Sequence, residues 1–190
     1  NSGSITGGHA VRHGGNIAQT DETVENSVSL LGGSVTGGVA GGLIKELADG
    51  TVARGSGGGG NYYGDSAKGS LTITGGTIDG DMKLNKMASF TLSGAPKILM
   101  GNGNGLRLQR ATDANQKYDK VIDISGLTEG AEIYIQASRV FTSAFASSEA
   151  AQTALGYFKG AVRTALSLSG NAIQGTQGTQ GYCPHCKEQV

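Results

Sequence analysis

Short runs along the chain alternate apolar and polar residues: Ser27-Val28-Ser29-Leu30, Ser70-Leu71-Thr72-Ile73-Thr74 and Ser89-Phe90-Thr91-Leu92. A period of two is the pattern of strands that bury one face. Glycine bounds nearly every run, as in Gly32-Gly33 and Gly75-Gly76. The pattern therefore predicts many short strands separated by sharp turns, with Val28, Leu30, Val35, Leu71, Ile73, Ile78, Phe90, Leu92 and Ile98 facing inward.

The runs repeat. Gly3-Ser4-Ile5-Thr6-Gly7-Gly8 returns as Gly33-Ser34-Val35-Thr36-Gly37-Gly38, and again as Gly76-Thr77-Ile78-Asp79-Gly80-Asp81. The unit at Ser27 returns at Ser70 and Ser89, and in looser form at Val121-Ile122-Asp123-Ile124-Ser125-Gly126. His13-Gly14-Gly15-Asn16-Ile17 matches Gly58-Gly59-Gly60-Asn61-Tyr62. Three different units recur in one order, at spacings of 43 residues (Ser27 to Ser70) and 19 residues (Ser70 to Ser89). Strands this short cannot each hold a stable hairpin, but stacked in parallel they share one interior. The predicted fold is all-β, a right-handed parallel β-helix with a C-terminal capping segment that contains a short helix. A β-sandwich would show longer strands and hairpin turns of Asn-Gly type. Asn16 and Asn61 tolerate the geometry of tight corners and are placed to ladder from one coil to the next.

Residues 1–120 read as coils with loop insertions, 121–171 as a capping or transition segment, and 172–190 as a linker and tail. The insertions are the acidic stretch Gln19 to Glu25, Gly41 to Gly60 with the amphipathic Leu43-Ile44-Lys45-Glu46-Leu47, and Arg110 to Lys120. Within the cap, Val121 to Ile124 and Ala131 to Ile135 read as strands, Ser147 to Phe158 as a helix and Val162 to Leu168 as a last strand. A segment of different character is what an open last coil requires, since exposed strand edges recruit other chains.

Composition narrows the picture further. The chain of 190 residues has 34 glycines and no Gly-X-Y register, so it is not collagen. Fifteen basic and 15 acidic residues cancel, which gives no electrostatic reason to expect nucleic acid as a partner. No apolar run approaches the roughly 18–20 residues of a membrane-spanning helix. The start, Asn1 to Ile17, has neither an initiator Met nor the apolar core of a signal peptide, and reads as a processed or excerpted chain.

Gly-Gly-Asn-Ile, Ser-Leu-Thr-Ile-Thr-Gly-Gly-Thr-Ile and Ser-Phe-Thr-Leu-Ser-Gly-Ala-Pro-Lys-Ile together resemble the adhesin-like right-handed β-helix repeat proteins of gut Firmicutes. Lys120 to Ala131 is similar to the segment that follows such repeats. The resemblance covers roughly Asn1 to Val140 and is one of texture and order. It implies extracellular or cell-surface display on a bacterial protein, a structural or adhesive role, and self-association or host and cell-surface glycans as partners. A capless N-terminal coil would let coils stack between chains into a filament.

Candidate chemistry is sparse. Cys183-Pro184-His185-Cys186 presents two thiols at the spacing of half a tetrahedral zinc site, and Cys183 and Cys186 are the metal candidates. A disulfide, free thiols or a redox pair are the competing readings of the same motif. The competing function is a carbohydrate-active β-helix enzyme, a polysaccharide lyase or hydrolase. Asp79 and Asp81 are the one close carboxylate pair on a predicted coil, and the bland reading makes them outward turn residues. Arg107 and Arg110 are the nearest lyase-type bases, and His9 and His13 read as solvated turn residues. Tyr62 and Tyr63 stand together among only ten aromatics. Gly101-Asn102-Gly103-Asn104-Gly105 lacks the aspartate of a calcium-binding coil, and Gly57 to Gly60 lacks the Lys-Ser/Thr of a phosphate loop. No catalytic set emerges, and a non-enzymatic module is the expectation.

Overall fold

The computed structural model describes residues 3–10, 15–40, 43–46, 52–54, 59–101, 104–108 and 120–177, with backbone alone for His9, Val39, 43–46 and 52–54. Successive passes of the chain lay down equivalent strands. The first pass contains β1 (Ser4–Thr6), β2 (His9–Ala10), β3 (Ile17–Gln19) and β4 (Asn26–Leu30). The second contains β5 (Ser34–Thr36), β6 (Val39–Ala40), β7 (Leu43–Glu46), β8 (Val52–Arg54) and the long β9 (Tyr62–Ile73). Then come β10 (Thr77–Asp79), β11 (Met82–Gly94), β12 (Lys97–Leu99), β13 (Leu106–Leu108), β14 (Asp123–Leu127) and β15 (Glu132–Gln136). The chain closes with α1 (Ser148–Leu155), β16 (Phe158–Gly160), β17 (Thr164–Ser169) and β18 (Ala172–Gln177).

Twelve of these strands form one sheet whose pairings are all parallel, and the sheet curls into a half-barrel. Three ladders run through it. In the first, Ile5, Val35, Ile78, Ile98, Ile133 and Phe158 pair in succession. In the second, Ile17, Tyr62, Met82, Leu106 and Ile135 do so. In the third, Ser27 pairs with Ser70 and Ser70 with Ser89, the equivalence that the repeat predicts. Thr91 pairs with Asp123, so the looser fourth copy of that unit is in register as well. Apolar side chains of the three ladders meet in one core, and of the nine predicted inward residues only Val28 is half-buried rather than buried. Val28 lies on β4, an edge strand that pairs with β9 alone, and on it only the last residue, Leu30, is buried.

The turns depend on residues that hold passes together. Asn61 is buried at the corner leading into β9. Its Nδ2 donates to Asp79 O at 2.7 Å, and its Oδ1 accepts from Asn16 Nδ2 at 2.9 Å and from Gly38 N at 3.0 Å. The asparagines thus do ladder between passes. Asn61→Ala would remove three hydrogen bonds at once, leaving the half-buried Gly38 N and Asp79 O without this partner, while Asn16 Nδ2 would keep only its bond to Thr36 O at 2.9 Å. The expected loss is about 2–3 kcal/mol by urea denaturation. A change within about 0.5 kcal/mol, ordinary for a surface site, would refute this network.

A second corner joins Tyr62 to the acidic insertion. The Tyr62 hydroxyl donates to Gln19 Oε1, while Gln19 Nε2 donates to Asn26 Oδ1 at 2.7 Å and to Ser70 O at 3.2 Å. Burial holds the Tyr62 hydroxyl well above its ordinary pKa, so it stays a donor.

Parallel pairing continues across residue 120, where the sequence indicated a change of character. β14 pairs with β11, β15 with both β12 and β13, and β16 with β15. The expected helix is present as α1, begun by Ser147, whose Oγ accepts from Ala150 N, and it turns Ala151 and Ala154 inward. The expected last strand is one arm of an antiparallel hairpin, β17–β18, turning at Gly170-Asn171. Residues 172–177, read as linker, form the other arm because Ala172 and Ile173 have core to bury against. Residues 178–190 lie outside the described residues. So does most of the Gly41 to Gly60 insertion, although its 43–46 and 52–54 segments pair antiparallel.

Candidate functional site

Two places on the described surface combine space or unsatisfied polarity with suitable side chains. The first is a cleft of about 1250 Å³ between the end of the third ladder and the segment 142–157. It forms because β14 has β11 on one side, while on the other only Ile122 continues the pairing, by a parallel bridge to Thr142. The chain then leaves the sheet for α1 and returns at Phe158 in the first ladder. Phe145 gives the cleft apolar surface, with Phe90 and Ile122 buried beneath its floor, and Tyr157, half-buried, gives it an aromatic face. Ser143, Ser147 and Thr153 add hydroxyls, and Asp123 and Glu149 add carboxylates, whereas Thr142 is buried with its hydroxyl accepting from Ile173 N at 2.9 Å. The Asp123 carboxyl sits below its ordinary pKa because Ser125 N and Ser125 Oγ both donate to it, at 3.0 and 2.8 Å.

The second place is a charged cluster on the second ladder. Tyr63, Lys83 and Arg107 follow one another across β9, β11 and β13, paired in register. They alternate with Tyr62, Met82 and Leu106, which belong to the core, so they occupy the opposite face of the strands. Tyr63 is nevertheless only 2 % exposed. Its hydroxyl donates to Asp65 Oδ2 at 3.0 Å and accepts from Asn85 Nδ2 at 2.7 Å. Burial, followed by the neighbouring Asp65 charge, holds the Tyr63 hydroxyl well above its ordinary pKa. Asn85 falls where the β9–β11 register shifts between Leu84 and Lys86, and the irregularity leaves it fully buried. Lys83 Nζ stands 5.8 Å from the centre of the Tyr63 ring. Its ammonium is pushed below the ordinary lysine pKa, first by burial and then by Arg107, against the opposing pull of Asp65. Three buried atoms here have no hydrogen-bond partner: Asp65 Oδ1, Asn85 Oδ1 and Arg107 Nε.

The residues singled out from sequence are scattered. Arg107 belongs to the charged cluster. Asp79 and Asp81 flank Gly80 at a different corner, beside a glycine-lined hollow of about 400 Å³. Asp81 Oδ1 there accepts from Asn104 N at 2.6 Å and from Asn104 Nδ2 at 3.1 Å, a turn-holding role. Tyr62 and Tyr63 are buried on opposite faces and form no platform for a sugar ring. Among the described residues no group of three or more His, Cys, Asp and Glu is placed to hold a metal. Cys183, Cys186, His13 and Arg110, and the side chain of His9, lie outside the described residues. Sequence reading missed Asp65, Lys83 and Asn85, for which no local motif exists, and it missed the cleft, which depends on where the chain leaves the sheet.

No protein-family model matches this chain, and neither a curated protein nor a solved structure matches it. The class that the fold defines is thus a predominantly β protein built on one large, curled parallel sheet, with no helix among the described residues long and apolar enough to cross a membrane.

Proposed function

We propose that this chain is a right-handed parallel β-helix module of a bacterial surface protein, displayed outside the cell, which binds glycans and does not cleave them. The observation that carries the binding role is the cleft of about 1250 Å³ beside β14. Saccharides are held by an aromatic or aliphatic face beneath the ring and by hydroxyl and carboxylate groups around its edge. Tyr157 and Phe145 supply the first, and the serines, Thr153, Asp123 and Glu149 supply the second. The solenoid reading is supported by the three ladders, each visited in the same order and register on successive passes. End-to-end self-association through the edges of β1, β3 and β4 belongs to the same reading, since strand edges invite further pairing.

A glycan array followed by titration calorimetry tests the binding role. Binding should weaken by about tenfold in Tyr157→Ala, the loss expected for one aromatic contact of about 1.4 kcal/mol, measured well below the variant's melting temperature, which should itself fall because Tyr157 also packs against the core. An array without a hit, or a hit indifferent to Tyr157→Ala, removes the cleft as the site.

The charged cluster keeps a second reading in play, that of a polysaccharide lyase or hydrolase. Its support is the buried pairing of Tyr63 with Asp65 beside Lys83, whose lowered pKa brings the neutral amine nearer to neutral pH. New reducing ends or unsaturated products from a polysaccharide panel, abolished by Lys83→Met, would establish the enzyme in place of the binding module.

A further inference from the structure

We propose that the Lys83–Arg107 pair, with Asp65 and Asn85, is a binding site for the carboxylate of an acidic, hydroxyl-bearing sugar, distinct from the cleft. Lys83 and Arg107 are direct register partners on β11 and β13, and like charges opposite one another on neighbouring strands destabilise a sheet. Neither cation forms an ion pair among the described residues. Asp65, whose charge acts on Lys83, has Oδ2 engaged by the Tyr63 hydroxyl. Among the described residues the arrangement therefore carries an excess of positive charge.

Unsatisfied atoms say what else the ligand must offer. Arg107 Nε is a buried donor without an acceptor, and Asp65 Oδ1 and Asn85 Oδ1 are buried acceptors without a donor. Native proteins satisfy nearly all such atoms, and three in one cluster call for a partner that brings both kinds of group. A bare inorganic anion brings acceptors only. A uronic acid brings a carboxylate for the two cations and hydroxyl donors for Asp65 and Asn85. Asn85 itself is fully buried and already fixed through Nδ2 to Tyr63, so its free oxygen is preset rather than mobile. Asp65, Lys83 and Arg107 are only half-buried, and these side chains must swing aside for a sugar to reach the three unsatisfied atoms, which are closed to solvent. The inference rests on the glycan-binding reading for the kind of ligand, but on separate residues for the site.

Calorimetry of the full chain with trigalacturonate, maltotriose and inorganic sulfate, repeated on Arg107→Gln and Lys83→Gln, tests it. Trigalacturonate should bind more tightly than sulfate, and each variant should lose roughly tenfold or more in affinity, the scale of one hydrogen bond to a charged group. Without ligand, Arg107→Gln should leave the melting temperature unchanged or raise it by up to about 4 °C, because it removes the like-charge pair. A clear fall in melting temperature would make the cations structural and overturn the proposal. Trigalacturonate binding that both variants leave intact would also overturn it. If maltotriose alone binds, the acidic-sugar site fails while the glycan-binding reading stands, and if neither saccharide binds, the acidic-sugar site fails and the glycan array decides the glycan-binding reading.

Discussion

Gly76→Ala is expected to cost about 3 kcal/mol or more, the sum of a left-handed backbone forced on an L-residue and an overpacked contact. Gly76 has φ +79° at the turn into β10. A Cβ there would lie 2.5 Å from Gly33 O and 2.7 Å from Gly32 C, both backbone atoms of the preceding pass. Those atoms cannot swing aside, because Gly33 O also accepts from Thr77 N at 2.9 Å. Gly170 supplies the control. It has φ +58° in the β17–β18 hairpin, with nothing within 4 Å of an added Cβ. Gly170→Ala should therefore cost only the conformational part, about 1–2 kcal/mol. Urea midpoints of the two variants separate the contributions. Equal losses would mean that the passes do not approach one another so closely at Gly76.

Phe90→Ala is the other large effect, expected to cost about 3–5 kcal/mol. Phe90 is 1 % exposed and lies between two neighbours in the third ladder. Its partner on β9 is Leu71, and the adjacent Thr91–Asp123 pair brings Ile122 to its other side. Removing the ring opens a cavity bounded by strands whose spacing is set by their hydrogen bonds, so the walls cannot collapse to fill it. Thr91→Ala, one residue along and on the opposite face, should change stability by no more than about 0.5 kcal/mol. A fall of the urea midpoint at unchanged slope in Phe90→Ala, against little change in Thr91→Ala, is the expected pair of results. Similar small shifts in both would contradict a shared interior along this ladder.

Much of the sheet was legible because its strands repeat. Ser27, Ser70 and Ser89 align by sequence, and they are the residues that pair. The alternation that marks Leu71, Ile73, Phe90 and Leu92 as inward also buries them, since a two-residue period leaves no other way to cover one face of a strand. The boundary near residue 120 was harder to read. Asp123–Leu127 and Glu132–Gln136 lack the flanking Gly-Gly pairs of the earlier units, yet they extend the same ladders. Glycine content reports the sharpness of a turn, not the membership of a strand in a sheet.

The charged cluster was not legible. Tyr63 and Lys83 are 20 residues apart and Lys83 and Arg107 are 24 apart, with no motif joining them. Lateral pairing alone brings them together, and it depends on the length of chain between successive strands. Asn85 is buried through a register shift that no local pattern announces. The cleft has the same kind of origin, since it exists only because the chain skips most of one strand position before α1.

By itself the sequence of this protein determined the short strands, their inward faces, the glycine corners and the order in which equivalent units recur. Those features follow from local chemistry: side-chain alternation, the positive φ that glycine permits, and the likeness of one unit to the next. Tertiary structure decided which outward residues stand side by side, where a polar side chain is stripped of water, and where the sheet leaves a gap. Each of these is a sum over distant segments, and the Lys83–Arg107 contact and the cleft beside β14 appear only when that sum is taken.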